Sequence, residues 1–72
     1  MLYPSRQVID ELRKRYPRGT RVALVKMDDP GAPPEGTEGT VTWVDDIGSI
    51  IVNWDNGSSL SVVYGVDKVR KI

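Results

Sequence analysis

Two adjacent aspartate pairs, Asp28-Asp29 and Asp45-Asp46, are the side chains best suited to a hard cation, because Ca²⁺ and Mg²⁺ take oxygen ligands. Neither pair sits in the spaced D-x-[DN]-x-[DN]-G pattern of a calcium loop. Aspartates between hydrophobic runs also bond their own backbone in turns, and that role fits both pairs better than a metal site. They are equally poor as an acid–base dyad, since neighbours in an extended chain point to opposite faces. The chain has no His and no Cys. Imidazole and thiolate metal ligands are therefore excluded, together with most nucleophile–base pairs. No glycine-rich phosphate loop and no G-x-S-x-G is present. The expectation is a protein that is not an enzyme, with no catalytic residue, no metal and no cofactor.

Binding chemistry has two candidate residue sets. Trp43, Ile51, Asn53 and Tyr64 form an outward strip on a sheet, of the kind that engages a protein partner or a second copy of the chain. The competing reading places Trp43 in the core and Tyr64 under a helix. Arg13, Lys14, Arg18 and Arg21 surround Tyr16 in the sequence and offer an anion site for a nucleotide or nucleic acid. Against this, Tyr16 also belongs to an apolar stripe, and the middle of the chain would repel phosphates. Pro30 and Pro33 supply a P-x-x-P, a motif common by chance, in a loop whose prolines lower its folding entropy.

Charge is balanced overall, with ten basic and ten acidic residues, but it is segregated along the chain. Residues 1–26 hold seven basic and two acidic residues, a net of +5. Residues 27–58 hold seven acidic and no basic residues, and residues 59–72 carry +2. Either the fold keeps these blocks apart as a dipolar surface, or it interleaves them as surface ion pairs.

These residues need a scaffold, and 72 residues allow a single small domain over 1–72. Residues 5–16 read as a helix: Val8, Ile9, Leu12 and Tyr16 form one stripe, Ser5 caps the start and Pro17 stops it. Asp10–Lys14 and Glu11–Arg15 have the spacing of supporting ion pairs. Five Val/Ile/Thr-rich runs follow: Thr20–Met27, Gly39–Val44, Ser49–Trp54, Ser58–Val63 and Val66–Ile72. With no helix between them, they predict antiparallel strands closed into a small barrel over about 19–72. The expected core is Val8, Leu12, Val22, Leu24, Val41, Ile50, Val52, Trp54, Leu60, Val62 and Val69.

Register follows from the turns. A three-residue loop Asp55-Asn56-Gly57, with Gly57 left-handed, pairs 50 with 62 and gathers Ile50, Val52, Trp54, Leu60 and Val62 on one face. In the preceding hairpin, a loop of Asp46–Gly48 pairs 43 with 51 and turns Trp43 outward. A four-residue loop pairs 43 with 50 and buries it. A bulge would bury both Val41 and Val44.

Several blocks carry a resemblance: Tyr16-Pro17-x-Gly19-Thr20-Arg21-Val22-x-Leu24, Met27-Asp28-Asp29-Pro30, Pro33-Pro34-x-Gly36-Thr37-x-Gly39-Thr40-Val41 and Trp54-Asp55-Asn56-Gly57-Ser58-Ser59-Leu60. Together they resemble domain of unknown function 4314, a small family of bacteria and phages, which supplies no site residues. The segment Val52-x-Trp54-Asp55-Asn56-Gly57-Ser58 is also similar to a strand and turn of Mind bomb/HERC-type domains. That similarity implies an SH3-like barrel that binds protein segments, although their tryptophan-rich first loop is replaced here by Asp28–Thr37. The resemblances imply a mainly β fold: a five-stranded antiparallel SH3-like barrel with one N-terminal helix. No apolar run approaches the length of a membrane span and no leader pattern is present. The expected location is the cytoplasm of a bacterial or phage-infected cell, without membrane contact.

Overall fold

A computed structural model describes residues 4–72. Helix α1 (Arg6–Arg15) precedes five strands: β1 (Arg21–Lys26), β2 (Glu38–Val44), β3 (Ser49–Trp54), β4 (Val62–Val63) and β5 (Lys68–Lys71). Ser5 caps α1 by accepting a hydrogen bond from the Val8 N–H at 3.2 Å, which satisfies one of the orphan donors of the first turn. Tyr16 ends it with φ −124° and ψ 65°, as the residue before a proline must leave the helical region. The ion pairing on the helix differs from expectation. Neither Asp10–Lys14 nor Glu11–Arg15 comes within ion-pair distance; Asp10 instead meets Arg6 at 3.9 Å. Such exposed pairs are worth only tenths of a kcal/mol, so the choice of partner is weakly enforced.

The strands form one antiparallel sheet in the order β4-β3-β2-β1-β5, with the last strand returning beside the first. This is the expected SH3-like arrangement, built as an open barrel. β4 has two residues only, and no ladder joins it to β5. The strand expected over Ser58–Val63 is mostly unpaired. Within it, the Trp54 indole N–H donates to the Leu60 carbonyl at 2.8 Å, and Leu60 stays half-buried instead of joining the core.

Both hairpins resolve as turn chemistry suggests. Ile50 pairs with Val62, and Gly57 has φ +89° with its N–H on the Trp54 carbonyl at 3.0 Å. On β2, Val44 pairs with Ile50 and Trp43 with Ile51, while Val41 pairs with Val52, so Thr42 is the extra residue of a bulge. The Thr42 hydroxyl donates to the Ile51 carbonyl at 3.2 Å. Because the bulge changes which face a residue takes, Val41 and Val44 both point inward and Trp43 points out.

Leu12, Val22, Leu24, Val41, Val44, Ile50, Val52, Trp54 and Val62 form the buried core, with Val8, Tyr16, Met27 and Val69 packed at its margin. Ile9 and Ala23 are also buried, and with Val44 they lie beyond the expected core. Ala23 sits on β1 between its cross-strand neighbours Glu38 and Arg70.

Candidate functional site

The bulge determines what the outer face of β2 and β3 presents. Trp43 is 55% exposed and lies directly across from Ile51. Asn53, opposite Thr40, extends the same face. From α1, the Arg13 guanidinium stacks 4.5 Å from the Trp43 ring centroid. Its Nε donates to the Val44 carbonyl at 3.0 Å and its Nη2 to Asp46 Oδ1 at 2.9 Å. Two hydrogen bonds thus hold the cation over one side of the indole, and stacking of this kind is worth about 0.5–1 kcal/mol at exposed sites.

Tyr64 does not belong to this face. β4 runs inward at Val62 and outward at Val63, so the alternation of side chains turns residue 64 back toward the helix. Tyr64 borders a cavity with Val8, Glu11, Leu12 and Arg15, on the flank of α1 away from Trp43. Val63, 42% exposed, is the outward residue of β4. It was recoverable from the sequence, because the register that pairs 50 with 62 also pairs Ser49 with Val63.

The four expected anion-binding cations do not form one patch. Arg21 is held by carboxylates: its Nη1 donates to Asp55 Oδ1 at 2.9 Å and to the Thr40 hydroxyl at 3.0 Å. Its Nη2 donates to Asp55 Oδ2 at 2.6 Å and Glu38 Oε1 at 3.2 Å. Arg13 is committed to Asp46. Lys14 and Arg18 remain exposed, without a carboxylate in ion-pair range among the described residues. The basic and acidic blocks of the sequence are therefore interleaved where the strands bring them together, and the dipolar surface does not form along those contacts.

The two-pronged hydrogen bond from Arg21 holds the Asp55 carboxyl below its ordinary range and raises the guanidinium in turn. In a carboxyl ¹³C NMR titration, Asp55 is expected to titrate below the unfolded value of about 3.9. A carboxyl with a depressed folded pKa adds stability above its unfolded pKa, and that contribution disappears as pH falls through the folded value. Arg21→Met should return the Asp55 midpoint to the ordinary range; an unchanged midpoint would show that the pair is not the cause.

One aspartate of each adjacent pair behaves as a turn residue. Asp29 Oδ1 accepts from the Gly31 N–H at 2.8 Å, and Asp45 Oδ1 accepts from Ile47 at 3.1 Å and Ser49 at 2.8 Å. Among the described residues no three Asp, Glu, His or Cys side chains converge on a metal position. Pro33 is buried and Pro30 exposed, so one of the two prolines of this P-x-x-P packs into its own domain. No helix among the described residues is long and apolar enough to cross a membrane.

These features define a small, mainly β, SH3-like domain with an N-terminal helix and an aromatic residue displayed on its outer sheet face. The chain belongs to the family described as domain of unknown function (DUF4314), whose model matches residues 5–72. No curated protein and no solved structure matches it.

Proposed function

We propose that this chain is a non-catalytic binding module of the bacterial or phage-infected cytoplasm, engaging a protein partner or a second copy of itself through the outer face of β2 and β3. The observation that carries this reading is Trp43: an exposed indole paired with Ile51 and fixed from behind by Arg13. Tryptophan dominates interface energetics because one rigid side chain desolvates a large area at small entropic cost. Asn53 supplies a polar neighbour for the rim, and Val63 extends the apolar surface. Phosphate binding through Arg13, Lys14, Arg18 and Arg21 has less support, since carboxylates already occupy two of the four.

The test compares the wild type with Trp43→Ser. The substitution should leave the thermal midpoint within a few degrees, because an outward residue leaves the core intact. It should weaken binding by about thirtyfold or more, the scale of a hot-spot residue. Sedimentation equilibrium over a wide concentration range reads self-association, and a displayed random-peptide library reads heterotypic binding. A wild type that stays monomeric and selects no peptide sensitive to Trp43→Ser would refute the proposal.

A further inference from the structure

On the opposite flank of α1 the sheet fails to close, and a groove runs over the edge of the core. We infer that this seam binds a small amphipathic organic acid, with an apolar ring or chain as its body and a carboxylate or sulfonate as its head.

Two cavities of about 690 and 420 Å³ lie side by side there and share Leu12, Arg15 and Tyr64. Volumes of this order suit small-molecule ligands. The floor of the smaller cavity includes Leu12, Ile50 and Val62, each no more than 5% exposed and each part of the central core. These three are already covered, and the apolar surface left open along the groove belongs to Val25 and Tyr64, which are exposed, and to the half-buried Tyr16 and Val69. An apolar body lying along the seam would cover these side chains, and about 25 cal/mol is gained per Å² of apolar surface removed from water.

The rim supplies the charge. Arg15, Lys14 and Lys68 line the two cavities, and none has a carboxylate within ion-pair distance among the described residues. Arg15 and Lys71 also flank the Tyr16 ring, at 5.9 and 5.7 Å from its centroid. Lys68 stands directly across from Lys26 on β1, a like-charge pair whose repulsion an anion would relieve. Two acids also line the cavities, Glu11 and Asp67, the latter accepting from the Val63 N–H at 2.9 Å, and against the three cations they leave one positive charge in excess. The requirement is therefore for an apolar body and one negative head. This site is separate from the Trp43 face, and its fate does not depend on the proposal made for that face.

The probe is 8-anilinonaphthalene-1-sulfonate, titrated into the ¹⁵N-labelled full chain beside the uncharged N-phenyl-1-naphthylamine. Fluorescence should saturate at one sulfonate per chain, with amide shifts concentrated at Arg15, Tyr64, Gly65 and Lys68. The uncharged analogue should bind about tenfold more weakly. The double variant Arg15→Glu, Lys68→Glu changes two exposed positions and should weaken the sulfonate by a similar factor; urea titration checks that its fold persists. Emission that never saturates, shifts centred on Trp43, or equal affinity in the double variant would overturn the inference.

Discussion

Trp54→Ala is expected to lower the free energy of unfolding by about 3–5 kcal/mol, the usual cost of deleting a large buried aromatic. A domain of this length typically has about 4–11 kcal/mol in total, so the substitution removes a large share of its stability. Trp54 is 2% exposed and is the largest side chain of the core. Its indole N–H is also the partner of the Leu60 carbonyl, and thus anchors the unpaired segment before β4. Trp54→Phe separates the two roles. It keeps most of the apolar volume but leaves that carbonyl without its donor, at a cost of about 1–3 kcal/mol. Urea unfolding followed by circular dichroism measures both. A loss below 1 kcal/mol for Trp54→Ala would show that the core does not close around this ring.

Gly39→Ala should cost about 1–3 kcal/mol, the penalty of overpacking a filled interior. The cause is space, since Gly39 is not among the glycines with positive φ. A Cβ there would stand 2.6 Å from Val52 Cγ1, 2.9 Å from Trp54 Cε3 and 3.0 Å from the Asn53 carbonyl oxygen. Gly39 is the cross-strand partner of Trp54, and the missing side chain lets the indole lie close against β2. The Asn53 oxygen belongs to the backbone of β3 and cannot swing aside as a side chain would. Thermal or urea unfolding tests this, and a variant as stable as the wild type would mean that the β2–β3 spacing gives way freely.

Local chemistry made the fold legible in the sequence. Ser5 and Pro17 bound the helix because capping and the proline constraint act within a few residues. The Asp55-Asn56-Gly57 turn set the register between β3 and β4, because only one pairing collects the apolar side chains on a single face. Closure of the barrel was less legible. Whether β4 extends back to Ser58 depends on a hydrogen bond between the Trp54 ring and Leu60, a tertiary contact that strand propensity does not encode.

The candidate site divides in the same way. Trp43 and Ile51 follow from hairpin register: of the two loop lengths the chain adopts Asp46–Gly48, which pairs 43 with 51 and turns Trp43 out, while the bulge at Thr42 keeps Val41 inward as well. The stacking of Arg13 on that ring joins elements far apart in the chain and has no local signature. Tyr64 was misplaced although the register carried the answer, since residue 64 shares the inward parity of Val62 and Val63 is the outward residue. The cations were misgrouped because counting charge along a sequence ignores which carboxylates the sheet will bring beside them.

The pairing of β5 with β1 has a kinetic consequence. Residues 22–24 must wait for residues 69–71 before that edge of β1 finds its partner. A chain emerging from a ribosome can form the helix and the β2–β3 hairpin early, as both are contiguous in sequence. It cannot join β1 to β5 until the residues up to 71 have been synthesised. Long-range closure is entropically costly and slow relative to hairpin formation. Until then the inner face of β1, with Val22 and Leu24, lacks one of its neighbours, and this interval is the domain's window of exposure to aggregation.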